Sequence, residues 1–213
     1  MVEGQREHWE RTYGEHPGMY GEEPSEPALR AAEVFGAAGA RELLELGAGH
    51  GRDALHFARR GFTVTAADFS PGGLAQLAGA ARAQGVADRV RTLLHDVRAP
   101  LPLPDGSVDG VFAHMLLCMA LGTGELRALT AEVRRVLRPG GTFVYTVRHT
   151  GDAHFGAGTD HGDDVWEHGG FAVHFFSREL VDTLAEGWTL HEVRPFEEGA
   201  LPRRLWQVTQ SPS

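Results

Sequence analysis

The chain has 213 residues, 42% of them hydrophobic, which is enough to bury the core of one α/β domain. Its 29 acidic and 20 basic residues give a net charge of −9, which argues against nucleic acid or an anionic membrane as partner, because phosphate binding needs clustered positive charge. The single cysteine excludes an internal disulfide. No apolar run is long enough to predict a membrane span, and no N-terminal signal sequence predicts secretion. We therefore predict a cytoplasmic protein with a single domain over residues 1–213.

The basic residues of the chain are all arginine, a bias that we attribute to a GC-rich bacterial genome. Lysine is therefore unavailable as a catalytic base, and arginine essentially never loses its proton. Histidine, of which the chain has 12, is the best base available near neutral pH.

Residues 1–27 combine aromatic residues with turn formers. Trp9 and Tyr13 are four residues apart, which places them on one face of a helix. Together with Tyr20 they either anchor an N-terminal helix to the domain or form a flap over a ligand pocket. Residues 27–38 then predict an Ala-rich helix that ends at Gly39.

A buried strand, a glycine-rich turn and a helix follow in that order. The strand covers residues 42–46, and the turn carries Gly47, Gly49 and Gly51. Glycine lets the backbone take positive φ and approach a ligand closely, while the helix behind it offers unpaired N–H groups. A dinucleotide-binding fingerprint would place its third glycine at position 52, where this chain has Arg52. The turn therefore predicts a nucleotide site of another kind.

The segment Glu45-Leu-Gly-Ala-Gly-His-Gly51 resembles motif I of the class I S-adenosylmethionine-dependent methyltransferases, whose loop wraps the methionine end and ribose of the cofactor. The N-terminal segment, with Trp9 and Tyr20-Gly-x-x-Pro24, is similar to that of tellurite-resistance and thiopurine-type small-molecule methyltransferases. The resemblance implies a Rossmann-like, doubly wound α/β fold. Such a fold has a seven-stranded sheet with helices on both faces and an antiparallel C-terminal hairpin.

Residues 61–68 alternate in polarity and carry β-branched residues, which predicts a second parallel strand that ends at Asp68. In a doubly wound sheet, an acid at the carboxyl end of a strand can accept hydrogen bonds from the two ribose hydroxyls. The alternative role for Asp68 is that of a turn or N-cap residue before Ser70 and Pro71. Ser70 and Pro71 themselves open a helix over residues 72–84.

The third strand is predicted over residues 89–94. The resemblance implies that Asp96 takes the adenine amine while neighbouring backbone closes on the ring, and a solvated loop carboxylate is the alternative. The segment Leu101-Pro-Leu-Pro-Asp-Gly-Ser-Val-Asp109 resembles the pattern that precedes the central strand in many class I methyltransferases. The fourth strand then ends at His114.

The family resemblance places the residues after the fourth strand beside the transferred methyl group. His114 therefore either lines the reactive centre or is a half-buried, hydrogen-bonded histidine. Cys118 is expected to be inert, because a reactive thiol needs access and a lowered pKa. A helix is predicted over residues 125–137, and the turn Pro139-Gly-Gly141 before a strand at 142–147 is another family feature.

Residues 148–176 are rich in Gly, His and Asp, too irregular for one helix and too long for a simple connection. Because this segment follows the fifth strand on the ligand side of the sheet, we predict that it is a substrate-cap loop. Arg148 at its start binds a carboxylate or oxyanion, or forms a surface salt bridge. No metal site is predicted, since neither paired cysteines nor a His-Glu-x-x-His pattern is present. If one exists, its candidate ligands are His154, His161, Asp164 and His168.

A short helix is predicted from Ser177 to about Glu186, followed by strands at 188–193 and 204–209. The resemblance implies that these two strands form the antiparallel hairpin that closes the sheet. We also expect the connector at residues 196–202 to reach the mouth of the ligand pocket.

The predicted activity is transfer of the methyl group of S-adenosyl-L-methionine to an O, N or S atom of a small molecule, which releases S-adenosyl-L-homocysteine. Alignment supplies most of the rate, and a base is needed only for a protonated acceptor. The candidate bases are His114, His149 and His174. The cofactor-binding residues that the resemblance implies are Tyr13, Tyr20, Gly47, Ala48, Gly49, Gly51, Asp68, Phe69, Ser70, Asp96, Val97 and His114.

Three alternatives remain open. The same fold could detoxify a metalloid such as tellurite or selenite, or the chain could be a non-catalytic module that binds cofactor or metal. The third alternative is an oxidoreductase on a related nucleotide fold, which Arg52 disfavours. We expect a small-molecule acceptor, no nucleic-acid or membrane partner, and a monomer or homodimer.

Overall fold

A computed structural model of the chain describes residues 5–16, 18, 21–199 and 203–213, and within α1 it leaves the side chains of residues 5, 6, 8 and 13 undescribed. The helices are α1 (Gln5–Glu15), α2 (Glu26–Ala37), α3 (Arg52–Arg59), α4 (Pro71–Ala83), α5 (Thr123–Val136) and α6 (Arg178–Leu184). The strands are β1 (Glu42–Leu46), β2 (Thr63–Asp68), β3 (Val90–Leu94), β4 (Val108–His114), β5 (Leu137–Arg148), β6 (Thr159–Asp160), β7 (Val165–His168), β8 (Phe171–His174), β9 (Trp188–Glu198) and β10 (Arg203–Pro212). No described helix is both long enough and apolar enough to span a bilayer.

Seven strands form one mixed sheet in the order β3-β2-β1-β4-β5-β10-β9. Strands β1 to β5 are parallel, whereas β10 runs antiparallel to both β5 and β9. The chain leaves β1 toward β2 and β3 and returns to β4 on the other side of β1. This reversal creates a crevice at the carboxyl ends of β1 and β4, which is where open α/β sheets bind ligands. The predicted fold class is confirmed.

Alternate residues of the central strands face opposite sides of the sheet, as the two-residue period of a strand requires. Leu43 belongs to a buried cluster with α2, α3 and α4, whereas Leu44 belongs to a second cluster with α5 and α6. The sheet is therefore covered by helices on both faces, and its central strands are buried like those of other doubly wound sheets.

Two elements differ from the sequence-based prediction. Strand β5 begins at Leu137, directly after α5, so it takes in the Pro-Gly-Gly turn that was expected to precede it. Residues 148–176, predicted as a loop and named the insertion below, contain the three-stranded sheet β6-β7-β8. Strands β7 and β8 are joined by Gly169 and Gly170, both with positive φ, at 59° and 82°. A two-residue Gly-Gly connection is typical of a tight hairpin, and this signal was present in the sequence.

Candidate functional site

A cavity of about 540 Å³ lies at the carboxyl ends of β1, β2 and β4. This volume is within the range of about 300–1,000 Å³ that is usual for small-molecule sites. Its wall has two parts. The strand-end half contains Glu45, Gly47, Ala48, Gly49, His50, Arg52, Asp53, Asp68, Phe69, His114, Met115, Leu116 and Met119. The insertion half contains Arg148, His154, Ala157, Trp166, His168, Phe171, Val173, Phe175, Glu198 and Arg203, and Trp9 of α1 completes the wall.

Asp68 braces the glycine turn that follows β1. Its Oδ2 accepts a hydrogen bond from Gly49 N at 2.8 Å, and its Oδ1 accepts one from Ser70 N at 2.8 Å. The side chain is buried, and burial raises the pKa of Asp68 while backbone N–H groups of Ser70, Gly49 and Phe69 act in the opposite direction. A carboxylate has about four acceptor positions, so Asp68 fixes the turn and still has an acceptor position for a ligand.

The three glycines of the turn have φ between 56° and 89°, a left-handed backbone that glycine adopts without strain. A Cβ on Gly47 would lie 3.1 Å from Leu116 on the segment after β4. A Cβ on Gly51 would collide with Leu77 of α4. Gly51 is also the N-cap of α3 and is absent from the cavity wall, so it serves packing and helix initiation there.

Glu45 is a buried carboxyl group in the floor of the strand-end half. It is only 4% exposed, and its Oε2 has no hydrogen-bond partner among the described residues. Burial raises the pKa of Glu45 well above its usual value, and the neighbouring charge of Asp53 adds to this effect. A buried acceptor with an open position is a fitting partner for a ligand N–H or ammonium group.

Asp53 connects the start of α2 to the glycine turn. It accepts hydrogen bonds from the backbone N–H and the hydroxyl of Ser25, at 2.8 and 2.9 Å, and pairs with Arg52 at 3.1 Å. The Ser25 hydroxyl also accepts from Ala28 N and so caps α2. The N-terminal part of the chain is therefore tied to α3 at the edge of the cavity.

His114 lies between Thr146 and Glu198. Thr146 Oγ1 accepts from Met115 N at 3.0 Å and is 2.8 Å from His114 Nδ1. The Nε2 atom of His114 is 3.3 Å from Glu198 Oε1, and Arg203 is 3.4 Å from Glu198 Oε2. Since a carboxylate only accepts, we place the imidazole hydrogen on Nε2, with Nδ1 accepting from the Thr146 hydroxyl. His114 lowers the pKa of Glu198, which therefore carries its charge at neutral pH.

Arg148 and Asp152 form a shielded ion pair at the start of the insertion. Arg148 donates from Nη2 at 2.6 Å and from Nε at 3.2 Å, and the Asp152 side chain is fully buried. Burial alone would raise the pKa of Asp152, but hydrogen bonds from Arg148, His154 N and Arg204 N lower it to about 2. The pair therefore remains charged and fixes both the insertion and β10.

Aromatic side chains form the rest of the insertion half. Phe155 contacts both Trp166 and Phe175 edge to face, with ring centroids 6.2 and 5.6 Å apart. Trp9 meets Phe171 edge to face at 5.4 Å. Helix α1 and strand β8 thus approach one another at the cavity, as the flap interpretation of the N-terminal segment requires.

Six of the sequence-predicted cofactor residues line this cavity: Gly47, Ala48, Gly49, Asp68, Phe69 and His114. Ser70 lies beneath the wall, where its hydroxyl caps α4 by accepting from Gly73 N. Asp96 and Val97 follow β3 outside the described wall, and Asp96 Oδ1 accepts from Arg98 N at 3.0 Å. Their contact with adenine stays a prediction. The side chain of Tyr13 and the whole of Tyr20 lie outside the described part of the chain.

His149 and His174, two of the three candidate bases, are not among the residues found to line the cavity. The His149 ring stacks on Trp206 at 4.7 Å, and its Nδ1 accepts from Gly151 N. His174 is 1% exposed, and its Nδ1 lies 2.7 Å from Leu121 O. No observation therefore favours His149 or His174 as a base, and their assignment stays a prediction. Cys118 is buried, and burial raises the pKa of its thiol to about 11.

Two of the four candidate metal ligands of the insertion, His154 and His161, have other contacts. His161 Nε2 pairs with Glu167 at 2.8 Å, while His154 Nδ1 lies 2.9 Å from Arg148 and 3.1 Å from Asp152. In the described part of the chain, no three His, Cys, Asp or Glu side chains are grouped so as to hold a metal ion.

Several wall residues were missed by the sequence analysis. Glu45 was part of the motif that carries the family resemblance, and its burial within β1 was the signal for a role of its own. Glu198 and Arg203 lie at the end of the C-terminal hairpin, opposite each other in register. The connector at residues 196–202 was expected to reach the pocket mouth, and Glu198 within it lines the cavity, but its pairing with His114 was not predicted.

Residues 43–141 match the family model of a methyltransferase domain. Demethylmenaquinone methyltransferase of Tropheryma whipplei is 32% identical over 116 residues, which cover 54% of this chain and 44% of that protein. Malonyl-acyl-carrier-protein O-methyltransferase of Serratia marcescens is 34% identical over 110 residues, which cover 52% of this chain and 39% of that protein. The chain spans less than half the length of these curated relatives.

A solved structure with the same fold is that of Burkholderia thailandensis 1,6-didemethyltoxoflavin-N1-methyltransferase with bound 1,6-didemethyltoxoflavin and S-adenosylhomocysteine. It superposes with a TM-score of 0.75 at 20% identity, covering 98% of this chain and 87% of the other. At this identity the likeness concerns the fold.

Proposed function

We propose that the protein is a class I S-adenosylmethionine-dependent methyltransferase that transfers a methyl group to an O, N or S atom of a small molecule, because residues 43–141 match the family model of a methyltransferase domain. The observation that carries the proposal is the buried Glu45 carboxyl beside the glycine turn braced by Asp68, at the sheet's switch point. S-adenosylmethionine, the cofactor of this family, would supply a methyl group bonded to a positively charged sulfur. A lone pair of the acceptor would attack the methyl carbon and displace the sulfur, releasing S-adenosylhomocysteine.

The strand-end half fits this cofactor. Glu45 offers an open carboxylate position to the ammonium group of the methionine part, and binding would favour its charged form. Gly47 and Gly49 allow close approach of the backbone. Asp68 holds that backbone in place and offers its remaining acceptor positions to the ribose hydroxyls. Tyr13, Tyr20, Phe69, Asp96 and Val97 remain proposed contacts.

The acceptor would then occupy the insertion half. Here the protein contributes alignment and exclusion of water, which are the main sources of rate when the transferred group is already activated. His114 of the strand-end half contacts Glu198 of the insertion half, so this polar pair joins the two halves. We assign to this pair the orientation of the attacking atom and the removal of its proton when it carries one.

The metalloid alternative is less well supported than a small organic acceptor. An oxyanion such as tellurite needs cationic groups whose charge is available, and the wall arginines Arg52, Arg148 and Arg203 each contact a carboxylate. The relatives act on unlike acceptors by name, so they do not select one for this chain.

Calorimetric titration with S-adenosylmethionine and S-adenosylhomocysteine tests the cofactor site, and we expect micromolar affinity, about −8 kcal/mol. Incubation with methyl-labelled cofactor and a panel of hydroxy- and amino-aromatic compounds then tests transfer by mass spectrometry. Absence of binding would overturn the proposal. Binding without transfer to any acceptor would favour the non-catalytic alternative, and Asp68→Ala serves as the inactive control.

A further inference from the structure

We infer that the insertion half binds a neutral, planar aromatic acceptor that donates an N–H or O–H group to Glu198 and receives a hydrogen bond from Arg148. The inference rests on the proposed function and names the acceptor class for the same cavity. Four features of the wall carry it: its charge balance, the open donor of Arg148, its aromatic surface and the position of Glu198.

The arginines of the wall are already neutralised by carboxylates of the same chain. Arg148 pairs with the fully buried Asp152 at 2.6 Å, and Arg203 pairs with Glu198 at 3.4 Å. An anionic acceptor would lose its hydration and gain little from cations whose charge is already balanced. A cationic acceptor would have to share Glu198 with Arg203 and His114. The wall therefore favours an acceptor without net charge.

Arg148 has one open donor group. Its Nε and Nη2 are used by Asp152, and Nη2 also lies 2.9 Å from His154, whereas Nη1 makes no hydrogen bond to any described residue. The guanidinium lies over the Phe175 ring, 5.0 Å from its centroid, which fixes its plane. A carbonyl oxygen or ring nitrogen of the acceptor is the partner that this fixed donor fits.

The insertion half also presents an aromatic surface. Trp166 and Phe175 are held edge to face by Phe155, and Phe171 is held by Trp9. Packed rings of this kind present rigid faces and edges, against which a flat aromatic ligand gains contact with little loss of side-chain entropy. A flexible aliphatic acceptor would gain less from such a wall.

Glu198 is the hydrogen-bond acceptor of this part of the wall. It is partly exposed, at 25%, and each oxygen has one neighbour at 3.3 or 3.4 Å, which leaves acceptor positions open to the cavity. Its neighbour Glu197 points to the opposite face of β9, where it pairs with Arg204. Glu197 is therefore a matched control for Glu198 on the same strand.

The test measures binding of three probes of similar size to the protein saturated with S-adenosylhomocysteine. The probes are isoquinolinone, which is a neutral lactam with N–H beside C=O, naphthoate as the anion and naphthylmethylammonium as the cation. We expect isoquinolinone to bind at least about tenfold more tightly than either charged probe. Equal or tighter binding of a charged probe, or no binding of isoquinolinone, would overturn the inference. This ranking uses the unaltered protein and does not depend on any variant.

The variants locate the contact. Glu198→Leu should weaken isoquinolinone binding at least about tenfold, Glu198→Gln should restore part of it, and Glu197→Leu should leave it within about twofold. Equal loss in both leucine variants would remove Glu198 from the site. Failure of the unaltered protein to bind S-adenosylhomocysteine would overturn the proposed function itself, whereas normal S-adenosylhomocysteine binding with the wrong probe ranking would overturn this inference alone.

Discussion

The strand-end half of the cavity is made mostly by residues that directly follow parallel strands, whereas the insertion half collects residues from an inserted sheet and a distant hairpin. Glu45, Gly49 and Asp68 are placed by the ends of β1 and β2, and the hydrogen bond from Gly49 N to the Asp68 carboxylate joins the two strand ends. Trp166 and Glu198 reach the cavity only because the insertion and the hairpin fold back over the sheet. The residues proposed to bind the cofactor are thus local in sequence, and those proposed to bind the acceptor are not.

The largest expected effect concerns the ion pair that supports the insertion half. Asp152→Asn leaves Arg148 with an uncompensated charge, which costs roughly 3–5 kcal/mol for a buried pair. For a protein of this size we expect Tm to fall by roughly 6–20 °C at pH 7. The matched control is Asp182→Asn, which breaks an exposed Arg–Asp pair of the same spacing and should change Tm by no more than about 2 °C.

The same variant has a defined pH dependence. A lowered pKa means that the stability contributed by Asp152 is fully present above the unfolded value near 3.8 and is lost as the pH falls toward about 2. The difference in unfolding free energy between the parent protein and Asp152→Asn should therefore shrink between pH 4 and pH 2. A difference that is constant with pH would contradict the charged state assigned to Asp152.

In the strand-end half, Asp68→Ala removes two charge-assisted hydrogen bonds that position the glycine turn. Such bonds contribute about 1.5–3 kcal/mol each, so we expect S-adenosylhomocysteine affinity to fall about 100-fold or more in calorimetry. Asp96→Ala tests the predicted contact between Asp96 and adenine. Because Asp96 lies outside the described wall, we expect a smaller loss of S-adenosylhomocysteine affinity than in Asp68→Ala. Unchanged affinity in Asp68→Ala would mean that the turn keeps its shape without the carboxylate.

Alanine variants of the candidate histidines compare a residue in the cavity wall with one away from it. His114→Ala should lower kcat/KM for an identified acceptor at least about tenfold, because it removes a neighbour of Glu198 at the cavity wall. His149→Ala should leave kcat/KM within about twofold and lower only Tm, since the ring stacks on Trp206 away from the wall. A large loss of kcat in His149→Ala with normal cofactor binding would instead support His149 as a base.

The smallest expected effect is the change in Tm when Glu45 is substituted. A raised pKa means that ionisation of Glu45 costs stability increasingly as the pH rises above the unfolded value near 4.5. Glu45→Gln removes that cost, so its Tm should exceed the parent's by a few degrees at pH 7 to 8 and match it near pH 4. Its S-adenosylhomocysteine affinity should nevertheless fall. Glu33→Gln, an exposed site, serves as the control.

The fold was predictable because its signals are local. Three local patterns predicted parts of the fold. They are the strand-turn-helix around Gly47, the acid that ends β2 and the alternating polarity of the strands. The cavity residues on those pieces, including Asp68 and His114, followed from the same signals. The predicted loop over the insertion was wrong where Gly169 and Gly170 form a hairpin turn, and that signal was local too.

The remaining residues could not be placed from the sequence. His149 and His174 are as suitable chemically as His114, and only long-range packing against Trp206 and Leu121 removes them from the cavity. Residues 196–202 were expected to reach the pocket mouth, but Glu197 and Glu198 are adjacent there, and nothing in the sequence shows which of the two faces the cavity. The insertion half, which we propose binds the acceptor, is formed by contacts between segments far apart in the chain. Such contacts leave no periodic pattern in the local sequence.

A crystal structure of the protein with S-adenosylhomocysteine tests the division of the cavity most directly. We predict that the ligand lies in the strand-end half, with its amino group at Glu45, its ribose at Asp68 and its sulfur directed toward His114 and the insertion half. A ligand bound elsewhere, or one whose sulfur faces away from Glu198 and Trp166, would contradict the assignment of the insertion half to the acceptor.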